Sequence, residues 1–62
     1  MKPTILIIED NEQNMYMLSY LLSKSDYNVI EAYNGIEGLK IAHETHPEII
    51  LIDIQLPRYG WL

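Results

Sequence analysis

The sequence predicts an open parallel α/β fold, and three features carry that prediction. Two short runs of branched apolar residues, Ile5 to Ile8 and Ile49 to Ile52, read as strands buried on both faces. Between them lie two segments of helical periodicity separated by a third strand-like run. The resulting order is β-α-β-α-β with short connections, which implies parallel strands joined by right-handed crossovers.

Each element has its own signals. The first strand spans Thr4 to Ile8 and is ended by Glu9, Asp10 and Asn11. Asp10 or Asn11 can cap the helix that follows, because their side-chain oxygens accept the free N–H groups of its first turn. Met15, Leu18, Leu21 and Leu22 give that helix an apolar side, opposite Gln13, Tyr16, Ser19 and Ser23, and it ends near Ser25. Tyr27 to Tyr33 reads as a second strand. Asn28 and Glu31 within it suit a sheet edge better than a centre. Asn34 and Gly35 open a second helix with Ile36, Leu39 and Ala42 as its apolar side. Glu37, Lys40 and Glu44 lie on its wet side, where they can pair weakly, and Pro47 stops it. The third strand runs from Ile49 to Ile52 and ends at Asp53, and Leu56 and Pro57 begin a loop.

Composition narrows the function. Nine acids against four Lys or Arg give a net charge of −5, which argues against non-specific nucleic-acid binding and permits cation binding. There is no cysteine, so disulfides and thiolate metal sites are excluded, and a reducing, cytoplasmic setting is the expectation. No signal peptide is expected, and apolar stretches such as Ile49 to Ile52 are too short to span a bilayer. At 62 residues, even complete burial of the hydrophobic residues only offsets the conformational entropy of folding, as if the sequence belonged to a larger fold.

The chemistry lies in the acids. Glu9 and Asp10 follow the first apolar strand, and Asp53 follows the third. If those strands are neighbours, about 4.8 Å apart, the three carboxylates converge at the carboxyl edge of the sheet, where open α/β sheets bind ligands. Singly, each acid is an ordinary strand-end or helix-cap residue. Together, at equal offsets after two central strands, they make a site. Clustered carboxylates disfavour one another's ionisation, and a hard divalent cation such as Mg²⁺ relieves this. A carboxylate on a stiff strand end beside such a cation is a nucleophile suited to phosphoryl transfer. His43 and His46 have the spacing of a metal pair but no third ligand nearby in the sequence, and read as a solvated helix end. No G-x-G-x-x-G or Walker loop is present. Met15 and Met17 read as packing and surface residues, and the five tyrosines show no stacking pattern.

Three stretches carry a family resemblance: I-L-I-I-E-D-N-E-Q-N at 5–14, A-Y-N-G-I-E-G-L at 32–39 and P-E-I-I-L-I-D-I-Q-L-P at 47–57. They resemble a bacterial response-regulator receiver domain. The resemblance implies a flavodoxin-like fold of strand order 2-1-3-4-5, of which residues 1–62 form the N-terminal half. It implies Asp53 as acceptor of a phosphoryl group from a histidine kinase or phosphotransfer protein. It implies Mg²⁺ held by Glu9, Asp10, Asp53 and the backbone carbonyl of Gln55. Asn14 matches a position beside the site that the family uses to tune lability. Such a domain is a signalling module rather than an enzyme, at most catalysing its own phosphorylation.

The sequence also departs from the family. Strands four and five and helices three to five are expected to be absent, and with them a hydroxyl residue and a lysine that contact the phosphoryl group. Phosphorylation is therefore expected to be impaired. After L-P-x the family reads Met-Asp-Gly, whereas this chain reads Tyr59, Gly60, Trp61 and Leu62. Tyrosine can be TAT, glycine GGA and tryptophan is TGG; TAT-GGA-TGG read one base later gives ATG-GAT-GG, so the expectation is a one-base frameshift near Arg58. Codons other than TAT-GGA at 59 and 60 would contradict it in favour of a deliberately shortened chain or a natural short gene. Two rival readings accompany the phosphoacceptor. One is an unphosphorylated interaction module that self-associates through the open edge of the third strand. The other is a metal-dependent phosphatase, which would need an aspartate where Gln55 stands.

Overall fold

A computed structural model describes residues 2–54. Strand β1 (Thr4–Glu9) is followed by helix α1 (Glu12–Lys24), strand β2 (Asn28–Ala32), helix α2 (Gly35–Thr45) and strand β3 (Ile49–Asp53). All pairing is parallel, in the order β2-β1-β3. This is the predicted β-α-β-α-β half of a flavodoxin-like sheet. The readings placed on Gln55 and on 56–62 lie outside the described residues.

β1 is the centre of the fold: among the described residues it has a strand partner on each side, and its apolar side chains are buried on both faces. Ile5, Leu6, Ile7 and Ile8 are all buried. Leu6 and Ile8 face α2, in a cluster with Ala32, Ile30, Ile41, Ala42 and Ile54. The opposite face carries Ile5, Ile7 and Glu9, covered by α1. β2 takes the predicted edge position. Its start is fixed by the Asn28 N–H donating to Pro3 O at 2.9 Å. β3 is fixed likewise: Glu48 N–H donates to Thr4 O at 3.0 Å, and Thr4 N–H donates to the Glu48 carboxylate at 2.8 Å.

Both helices begin at asparagine caps. The Asn11 side chain accepts from Asn14 N–H at 2.9 Å, and the Asn34 side chain from Glu37 N–H at 2.8 Å. Of the two candidates for the first cap, Asn11 is the one used. Glu37 reaches back to the Tyr33 N–H at 2.6 Å, so this wet-side acid serves the helix end. α2 closes at His46, in a left-handed conformation (φ 50°), with Pro47 blocking continuation.

The helix faces differ from the predicted ones in two places. On α1, Met15 is buried and Leu18 and Leu22 are half-buried, but Leu21 is exposed. On α2 the correction is larger. Ile36 and Leu39, predicted to face the core, are 86% and 74% exposed; Ala42 faces the sheet as predicted, and Gly38 and Ile41 join it there. Glycine at 38 has no side chain to signal burial, yet it lets the helix approach β1 closely. A Cβ there would overlap Ile8 Cδ1 and lie 2.7 Å from Ile8 Cγ1. That approach rotates Ile36 and Leu39 away from the sheet.

Candidate functional site

The site is built by strand register. Ile5 pairs with Ile49 and each successive residue keeps step, so that Glu9 pairs with Asp53. In a parallel pair, partners in register share a face, so both carboxyl groups stand on the α1 side of the sheet at its carboxyl edge. Asp10 follows Glu9 in the turn, and Asn11 and Asn14 belong to the start of α1. Glu9, Asp10 and Asp53 thus occupy one edge, as the sequence predicts.

The three acids are not equivalent. Glu9 is buried, only 2% exposed, whereas Asp10 and Asp53 are exposed. One Glu9 oxygen, Oε2, accepts from the Asn11 N–H at 3.0 Å. The other, Oε1, is buried with no hydrogen-bond partner. The Asn11 N–H favours the ionised form, but burial, the neighbouring Asp53 carboxyl and the charge of Asp10 oppose it. The net result holds Glu9 above its ordinary value of 4.5. This asymmetry follows from alternation: Ile5, Ile7 and Glu9 lie on the covered face, whereas Asp10 falls beyond the strand. The 2.0-residue period, continued one step past the apolar run, is the signal that finds it.

These residues fit a hard divalent cation in donor chemistry. All are oxygen donors, they are crowded enough to oppose one another's ionisation, and one buried oxygen has no protein partner. Among the described residues, no group of three or more His, Asp or Glu is placed so that it could hold a metal ion by itself. Lys2 precedes β1 and Lys24 ends α1, at the opposite end of the sheet, and Lys40 lies within α2. His43 and His46 stand with ring centroids 6.3 Å apart, both exposed, bordering an open hollow with Ile36, Leu39, Lys40 and Ala42. None of the acids lines it.

Residues 5–60 match the family model described as "Response regulator receiver domain". The chain belongs to the response-regulator receiver family. It is 44% identical over its whole length to proteins named polar-differentiation response regulator DivK from Brucella ovis, Brucella suis and Brucella anthropi. The chain spans about half the length of these curated relatives, 50% in each case. A receiver is a signalling domain of two-component systems rather than a classical enzyme. Among the described residues, no helix of this receiver is long and apolar enough to cross a membrane.

Proposed function

We propose that this receiver accepts a phosphoryl group on Asp53 from a histidine kinase or phosphotransfer protein, in the cytoplasm. The observation that carries the reading is the register that brings exposed Asp53 beside buried Glu9. In the transfer, an Asp53 carboxylate oxygen forms a bond to phosphorus on the side opposite the departing phosphohistidine nitrogen. That P–N bond breaks, and the imidazole keeps the electron pair and takes a proton from water.

Mg²⁺ is proposed to be held by Glu9, Asp10, Asp53 and the backbone carbonyl of Gln55. When bound, it neutralises charge on the carboxylates and on the incoming phosphoryl oxygens. The chain's own contributions are positional. β3 holds Asp53 at the open end of the strand, where a donor can approach. The Asn11 N–H holds one Glu9 oxygen, leaving the other free at the edge.

The test uses acetyl phosphate with Mg²⁺ and the 62-residue chain. The expected outcome is acid-stable, base-labile labelling that disappears in Asp53→Asn and on chelation of Mg²⁺. Undiminished labelling of Asp53→Asn would refute Asp53 as the acceptor.

A further inference from the structure

We propose that Asn34 is a site of spontaneous covalent modification: the amide nitrogen of Gly35 attacks the Asn34 carboxamide, ammonia leaves, and water opens the ring to aspartate or isoaspartate at the head of α2. A bond forms from the Gly35 nitrogen to Asn34 Cγ. The bond from Cγ to the carboxamide nitrogen breaks, and that nitrogen departs as ammonia with the proton given up by the Gly35 amide. Water then adds to either carbonyl of the five-membered succinimide. Cleavage on the Cγ side restores the backbone and leaves aspartate. Cleavage on the backbone side leaves isoaspartate, with one methylene inserted into the main chain. Nothing is oxidised or reduced, and water is the co-reactant.

The reaction needs an exposed asparagine, a following amide free of an acceptor, and a following residue too small to obstruct ring closure. Asn11, Asn14, Asn28 and Asn34 are all exposed, and the other conditions separate them. Asn14 lies within α1, where the N–H of the next residue, Met15, donates to Asn11 O at 2.9 Å. Asn28 lies in β2 and is followed by branched Val29. Asn11 and Asn34 are the informative pair. Both are extended N-caps, and the first N–H groups of a helix have no partner within it. Asn11 is followed by Glu12, which sets a side chain and a negative charge beside the nitrogen that must lose its proton. Asn34 is followed by Gly35, where the space that a Cβ would fill has no other part of the described chain within 4 Å. The site lies at the end of β2, on the side of the sheet away from β3.

The cap sets both the pace and the consequence. Asn34 is held extended (φ −156°, ψ 170°) and accepts from the Glu37 N–H at 2.8 Å, so ring closure waits on that hydrogen bond opening. Aspartate in its place keeps an acceptor for the Glu37 N–H and puts a negative charge at a helix N-terminus, where it is stabilising. Isoaspartate lengthens the main chain between β2 and α2. Gly38 leaves no slack for that, since a Cβ there would already overlap Ile8. One product keeps α2 seated and the other loosens it. The chemistry stands independently of phosphoryl acceptance.

The test incubates the 62-residue chain in warm neutral buffer and maps its peptides by mass and by isoaspartyl methyl transfer. Conversion is expected at Asn34 and not, over the same period, at Asn11. Gly35→Ala places a methyl in empty space and favours the helix, so the circular dichroism should not change. It should slow the loss of ammonia roughly tenfold or more, because a Cβ restricts the backbone rotation that ring closure needs. Of the products separated by ion exchange, the aspartate form should melt with Asn34→Asp and the isoaspartate form below it. An Asn34 that stays intact while the urea-unfolded chain is converted would overturn the proposal. So would equal rates at Asn11 and Asn34, a Gly35→Ala chain that loses ammonia as fast as the unsubstituted one, or products of identical melting temperature.

Discussion

At the scale of single residues, Glu9 stands apart as the buried acid of the carboxyl edge among the described residues. Its carboxyl is buried, one oxygen has no partner, and Asp53 and Asp10 add negative charge beside it. The folded protein therefore holds the Glu9 proton more tightly than the unfolded chain does. Stability from this group is fully present below 4.5 and is lost as pH rises through the raised folded value. At neutral pH without a divalent cation, ionised Glu9 weakens the fold. Urea unfolding at pH 7 in chelator is expected to find Glu9→Gln more stable than the unsubstituted chain, with the difference closing below pH 4.5. Adding Mg²⁺ should narrow or reverse the difference by stabilising the chain with Glu9 more than Glu9→Gln, a ligand at 100 times its Kd adding about 2.7 kcal/mol. Equal stabilities at pH 7 in chelator would show that the burial costs nothing. The identity of the three acids was legible in the sequence, because each directly follows an apolar strand. The special position of Glu9 was not, because it depends on α1 covering one face of β1 while the turn at Asp10 stays open.

At the scale of elements, α2 shows how a helix face can be misread. Ile36 and Leu39 are the large apolar residues, and periodicity alone turns them inward. The sheet is met by the predicted Ala42 together with Gly38 and Ile41, whose combined bulk is small enough for the helix to sit close to β1. Spacing was readable, but the distance of approach was not, because glycine carries no hydrophobic signal. Gly38→Val is expected to destabilise the chain by about 1–3 kcal/mol, through overpacking against Ile8. Pairing it with Ile8→Val removes the overlapping methyl and should restore part of that loss, which a double-mutant cycle of melting curves would reveal. Additive losses would show that the contact with Ile8 is not the cause. Strand identities and both helices were legible to within a residue or two at their ends, because apolar runs, asparagine caps and Pro47 are local signals.

At the scale of the whole molecule, the helices among the described residues pack chiefly over β1 and β2. Among the described residues, no lysine or arginine reaches the acid edge to meet the charge of a transferring phosphoryl group. Removal of one such donor typically costs about 10²–10³ in rate. Labelling by acetyl phosphate is therefore expected to be at least that much slower in the 62-residue chain than in a full-length relative under the same conditions. Equal rates would show that β1, α1 and β3 supply all that the chemistry requires. The central claim is that one register, Glu9 beside Asp53, makes Asp53 the acceptor. It is tested most directly by locating the label itself: acetyl phosphate with Mg²⁺, reductive trapping with borohydride, then peptide mapping. Conversion of Asp53 alone, dependent on Mg²⁺, is expected. Trapping at Glu9, Asp10 or any other carboxylate, or conversion of Asp53 that persists in chelator, would contradict it.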